Sequence, residues 1–206
     1  MHSLTAQIKK LQDSPINKLV EDRLTEFESF KNKSDTEWFS ELCFCILAAN
    51  SKQKTAENIQ KSLNSKLLTI SQQDLADYIK NNKHRFHNNK ASYIVEARQH
   101  HPIKSKLNGD EISNRTWLVK NIKGIGMKEA SHFLRNTGSK NLAILDRHIL
   151  RTMQESSIIP EVPKSLPPKL YLSIESKFNS LAKELNISPA KLDLFIWYLR
   201  NGEIAK

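Results

Sequence analysis

The chain has 206 residues, enough for one compact unit or two small lobes around a real hydrophobic core, and too many to depend on disulfide staples. Lys and Arg outnumber Asp and Glu by 32 to 22, and the net charge of +10 favours a polyanionic partner, nucleic acid ahead of an anionic membrane surface. No apolar stretch approaches the roughly 20 residues that span a bilayer, and Met1-His2-Ser3-Leu4-Thr5-Ala6-Gln7-Ile8-Lys9-Lys10 has no signal-peptide core, so an intracellular protein with no membrane partner is expected.

Almost every segment carries a period near 3.6. Within 36–50, Trp38, Phe39, Leu42, Cys43, Ile46 and Leu47 form one helical stripe, and Ser34 with Glu37 has the spacing of a capping box at its start. The only cysteines, Cys43 and Cys45, lie two apart in that run; on a helix they face different ways, so they neither pair nor build a four-cysteine cluster, and a metal-free chain is expected. Further stripes follow at Ala56, Ile59 and Leu63, then at Leu75, Tyr78 and Ile79. Phe86, flanked by His84, Arg85, His87 and Lys90, reads as a basic, DNA-facing loop ahead of a helix with Ala91, Ile94 and Val95. His100 and His101 read as the exposed end of a helix, and Trp117, Leu118 and Ile122 mark the next one.

Four of the seven prolines, Pro160, Pro163, Pro167 and Pro168, crowd one irregular connection. Beyond it come Tyr171, Ile174, Phe178, Leu181 and Leu185, then a helix with Ser188 as N-cap, Pro189 in its first turn, and Leu192, Phe195, Ile196 and Leu199 inside. No segment alternates with period two, and no internal repeat or low-complexity tract is present. The fold class expected is all-α.

Two of the five glycines, Gly124 and Gly126, stand in Val119-Lys120-Asn121-Ile122-Lys123-Gly124-Ile125-Gly126-Met127-Lys128-Glu129-Ala130. One helix ends at Ile122, glycine tolerates the positive φ of a tight turn, and Ala130, Phe133 and Leu134 continue a second helix. Free backbone N–H groups at such a hairpin can hold a DNA phosphate without reading a base, which assigns Gly124 and Gly126 to phosphate binding. A Gly-x-Gly corner also serves plain helix hairpins, so context decides. Two residues past Gly126, Lys128 stands at a helix N-terminus, where the dipole disfavours an ammonium; a lysine so placed can act as a nucleophile. Eighteen residues later Leu142-Ala143-Ile144-Leu145 leads to Asp146, the N-cap of a helix carrying Ile149, Leu150 and Met153. A carboxylate fixed there can take a proton from the lysine or stabilise positive charge developing on a sugar.

The run Ile122-Lys123-Gly124-Ile125-Gly126-Met127-Lys128 followed by Leu145-Asp146-Arg147-His148 resembles the helix-hairpin-helix DNA glycosylase superfamily. The details look like the short, largely archaeal type 2 branch of 8-oxoguanine DNA glycosylase/AP lyases. That likeness extends from about Trp38 to the C-terminus, through Phe44-Cys45-Ile46-Leu47-Ala48-Ala49-Asn50 and Arg85-Phe86 with Lys90-Ala91-Ser92-Tyr93-Ile94-Val95. The chain departs from the endonuclease III pattern by lacking a C-terminal four-cysteine cluster, which argues against an iron-sulfur member. The resemblance implies a two-lobed helical bundle with the hairpin at its cleft. One lobe is expected to span 36–126, the other to join 1–35 with 127–206.

The implied activity is excision of 8-oxoguanine from duplex DNA through a Lys128 Schiff base, strand cleavage by β-elimination, and Asp146 as the assisting carboxylate. No metal or organic cofactor, no obligate protein partner and a DNA-associated monomer are expected. For the base, the resemblance suggests that the terminal carboxylate of Lys206 accepts the N7–H by which 8-oxoguanine differs from guanine. Trp197 and Phe86 are candidate stacking partners, although Trp197 sits beside Phe195 and Ile196 and fits a core equally well. Asn50, Ser51 and Gln53 follow the buried helix where, by the same resemblance, polar residues fill the vacated base stack. The alternatives are a non-catalytic helix-hairpin-helix DNA-binding module, or an enzyme for another oxidised base or an abasic site.

Overall fold

The computed structural model describes residues 3–204, and no strand occurs among them. In chain order the α-helices are α1 (Leu4–Gln12), α2 (Pro15–Ser29), α3 (Asp35–Ala48), α4 (Gln53–Leu63), α5 (Gln72–Asn81), α6 (His87–Ala97), α7 (Glu111–Asn121), α8 (Met127–Asn136), α9 (Arg147–Glu155), α10 (Pro168–Glu184) and α11 (Pro189–Asn201). They fall into two compact units: a middle unit, Asn32–Leu134, and a terminal unit that joins the chain up to Lys31 with the chain from Arg135 on. No helix among the described residues is long and apolar enough to cross a membrane.

The middle unit is built around α3. The expected capping box is present, with Ser34 Oγ accepting the Glu37 N–H and the Glu37 carboxylate accepting the Ser34 N–H. Sequence periodicity gave α3 a single apolar stripe; instead the ten consecutive residues Trp38–Leu47 are all buried. A helix covered on every side has no polar face to show. Its one charged buried residue, Glu41, accepts a 3.0 Å hydrogen bond from Gln60 of α4. Both cysteines are buried and unpaired with each other, and burial pushes the Cys43 thiol far up, which leaves it inert as a nucleophile.

The middle unit ends inside α8, two turns past the hairpin rather than at residue 126. The physical reason is packing: Phe133 meets Trp38 edge-on at 5.9 Å and His132 meets Phe44 at 5.6 Å, so the first two turns of α8 complete the core around α3. At the other junction the changeover falls at Asn32 rather than 36.

In the terminal unit, the apolar stripes of α9, α10 and α11 bury Ile149, Leu150 and Met153, then Tyr171, Ile174, Phe178 and Leu181, then Leu192, Phe195 and Ile196. Ser188 caps α11 through the Lys191 N–H, with Pro189 in the first turn. Leu199 does not belong to that core. It is 36% exposed, because the last turn of α11 runs past the packed face before Gly202 ends the helix with positive φ. The proline-rich stretch is an irregular connection up to Pro167, and Pro168 opens α10.

Candidate active site

In the middle unit the hairpin is anchored by its two isoleucines. Ile122 and Ile125 are buried, and the Ile125 N–H closes the turn onto the Ile122 carbonyl at 3.3 Å, which leaves Lys123, Gly124 and Gly126 outside. Gly124 has φ +80, a conformation costly for side chains, and a Cβ placed there would lie 2.5 Å from the Tyr93 ring of α6. Gly126 does not need positive φ; its carbonyl accepts the Ala130 N–H at 2.9 Å and so starts α8. The two glycines therefore have different jobs, one making the corner and one opening the helix.

Counting from Gly126, Lys128 is the second residue of α8, in the turn whose N–H groups have no partner within the helix. Its side chain is 29% exposed and its ammonium pairs with Glu129 at 2.9 Å. Glu129 stands in the position from which an acidic side chain favours the positive end of the helix dipole. Sequence reading passed over it, although an acidic residue in the first turn of a helix is a recognised start signal.

Phe86 precedes α6 with φ 59 and ψ 36, a left-handed conformation uncommon for a bulky residue, and its ring is 49% exposed beneath the Arg85 guanidinium at 4.8 Å. Arg85 is exposed with it, but two members of that basic cluster are not. His84 and Lys90 are buried, at 6% and 3% exposure. Lys90 Nζ donates to the Leu47 carbonyl and, at 2.6 Å, to Ser51 Oγ; His84 Nε2 lies 2.7 Å from the same carbonyl. Burial lowers the Lys90 amine to about 8, helped by Arg85 and Lys128 and opposed by Glu129, and burial likewise lowers His84. The signal was present in the sequence: Lys90, Ile94 and Ala97 are in helical phase, so Lys90 lies on the buried stripe of α6. His100 and His101 are also not at a free helix end, since their rings pack edge-on against Trp117 and Phe39.

In the terminal unit, Leu142–Leu145 is buried and pinned to α10. Tyr171 Oη donates to the Ala143 carbonyl at 2.7 Å and accepts the Leu145 N–H at 3.3 Å, while Glu175 accepts the Ala143 N–H at 3.0 Å. This rigid approach delivers Asp146, half-buried, whose Oδ1 caps α9 through the Ile149 N–H at 2.8 Å. Capping occupies one oxygen of the carboxylate. Behind it lies Asp193 of α11, buried and bonded to Arg135 at 3.1 Å; burial pushes its carboxyl up to about 7, with Arg135 opposing and Asp146 adding to the rise. Trp197 is half-buried, packs edge-on against His148 at 5.1 Å, and its Nε1–H has no hydrogen-bond partner among the described residues. Gly124, Gly126, Lys128 and Phe86 thus belong to the middle unit, and Asp146 and Trp197 to the terminal unit. Lys206 lies outside the described residues.

Comparison with known proteins places these residues in a family. Residues 20–187 match the family model described as 8-oxoguanine DNA glycosylase. A relative from Methanocaldococcus jannaschii, named 8-oxoguanine DNA glycosylase/AP lyase, is 46% identical over 98% of this chain and 99% of its own. The crystal structure of the Methanocaldococcus jannaschii 8-oxoguanine glycosylase/lyase in complex with a 15mer DNA containing 8-oxoguanine matches with a TM-score of 0.96, covering 98% of this chain and 99% of that one. The 8-oxoguanine DNA glycosylase of Thermotoga maritima matches with a TM-score of 0.93 at 37% identity, covering 98% of both chains. An endonuclease III–DNA complex, 17% identical with a TM-score of 0.65 over 98% of this chain and 87% of that one, shares the fold. On a full-length match of this strength, the chain belongs to the 8-oxoguanine DNA glycosylase/AP lyase family of the helix-hairpin-helix superfamily.

Proposed function

We infer that this chain excises 8-oxoguanine from duplex DNA inside the cell and then cleaves the strand, with Lys128 as nucleophile. The observation that carries the reading is a partly exposed lysine in the first turn behind the Gly-Ile-Gly hairpin, in a chain 46% identical over nearly its whole length to a named glycosylase/AP lyase.

The hairpin N–H groups and the first turn of α8 hold a backbone phosphate. The damaged nucleotide is extruded, at a cost of a few kcal/mol. Phe86, exposed and set at the head of α6, and Trp197 offer faces on which the flipped base stacks. Leaving the Glu129 carboxylate as a free amine, Lys128 Nζ attacks C1′; the C1′–N9 bond breaks and its electron pair leaves with the protonated base. The sugar opens to an imine on Lys128, a C2′ proton is removed, and the C3′–O bond to phosphate breaks. Water then hydrolyses the imine and frees the lysine. Asp146, held rigid by its cap, stabilises the positive charge that develops on the sugar and takes up a proton.

The test is product analysis on a duplex with a single 8-oxoguanine. Free 8-oxoguanine and a strand ending in the unsaturated sugar are expected together. Strand cleavage only at preformed abasic sites, with no base released, would refute the glycosylase half.

A further inference from the structure

Helix α3 stops at Ala48, and its last carbonyls need partners that the helix itself no longer supplies. For Leu47 those partners come from elsewhere in the same unit: Lys90 of α6 donates to its carbonyl, and His84, just before α6, approaches it at 2.7 Å. The Lys90 ammonium at a helix C-terminus also suits its dipole. The chain then leaves α3 through Ala49 and Asn50, the latter at φ 52, and reaches Ser51, whose hydroxyl accepts from the same Lys90 ammonium at 2.6 Å. One buried amine thus grips both sides of the turn at 49–50. Asn50, at its tip, is exposed.

The same helix holds the hairpin. Three residues on from Lys90, the Tyr93 ring fills the space beside Gly124, and three further on Glu96 pairs with Lys123 at 2.9 Å. Lys90, Tyr93 and Glu96 therefore make α6 a brace that fixes the Asn50 turn, the Phe86 turn at its own N-terminus and the phosphate-binding hairpin in one arrangement. Burying a lysine amine is costly, and a purely structural cap could be made with a neutral group.

We propose that Lys90 is a positioning residue for base extrusion, holding the Asn50 turn so that it enters the stack vacated by the damaged nucleotide while the hairpin holds the backbone. This rests on the glycosylase reading above. Base excision depends on it more than strand cleavage at an abasic site, where no base has to be unstacked.

The experiment compares single-turnover rates of the full chain on two duplexes, one with 8-oxoguanine and one with a preformed abasic site. Lys90→Met should slow excision about ten- to a hundredfold, as expected for losing hydrogen bonds from a charged donor. Its loss on 8-oxoguanine should exceed its loss on the abasic duplex by about tenfold or more. Ser51→Ala, which removes one acceptor and adds no bulk, should shift the ratio the same way by about threefold, and it carries the test if Lys90→Met does not fold. Variants that match the parent on 8-oxoguanine, or lose both activities in parallel, overturn the role of Lys90 alone. A parent chain that releases no 8-oxoguanine overturns the glycosylase reading and the role together.

Discussion

Lys128 and Asp146 differ in how they can be tested, because one has no structural duty that a variant would disturb and the other does. Among the described residues Lys128 pairs with Glu129, its own neighbour in α8, so Lys128→Gln should leave the fold intact and lower strand cleavage at 8-oxoguanine by about a thousandfold or more, measured by gel assay. Asp146 caps α9, and asparagine caps a helix nearly as well as aspartate. Asp146→Asn should therefore keep the thermal midpoint within a few degrees while slowing excision about a hundred- to ten-thousandfold; a large fall in midpoint with little change in rate would make it a cap and nothing more. At Phe86 the two effects have opposite signs. Phe86→Gly relieves a left-handed backbone and should hold or raise stability, yet should cut excision about five- to a hundredfold by removing a stacking face.

Elements were legible where one side of a helix faces solvent. The stripes of α9 and α10, the Ser34–Glu37 box and the Ser188–Pro189 start all follow from spacing and capping chemistry. The full burial of α3 was not legible, because periodicity reports a contrast between two faces and α3 has none. The basic cluster around Phe86 misled at His84 and Lys90 for the opposite reason: charge was read as exposure, while helical phase placed Lys90 with Ile94 and Ala97 on the inside. Of the hairpin, the glycine pattern announced the corner, but the Tyr93 ring that makes Gly124 irreplaceable comes from a distant stretch of chain. Gly124→Ala combines a left-handed Cβ with a clash against that ring and should destabilise the protein by about 2–4 kcal/mol, read from urea denaturation. Unchanged stability would mean that the ring moves aside at no cost.

At the scale of the whole chain, the units Asn32–Leu134 and the joined ends divide the proposed chemistry, nucleophile and hairpin in one, carboxylate in the other. Sequence could assign those residues to separate stretches but not find the changeover inside α8, which is set by Phe133 and His132 packing on Trp38 and Phe44. The terminal unit also has a pH-dependent stability of its own. Asp193 keeps its proton up to about 7 when folded and sheds it near 3.8 when unfolded, so between those values the folded state binds more protons. Stability from this group falls as pH rises from about 4 to 7 and is level beyond, and Asp193→Asn should flatten that part of the profile. The central claim concerns a covalent bond and is tested by trapping it. Incubated with an 8-oxoguanine duplex and borohydride, the chain should yield a protein–DNA adduct whose modified residue, by peptide mass spectrometry, is Lys128, with no adduct in Lys128→Gln. An adduct on another lysine, or base release without any adduct, would contradict the account.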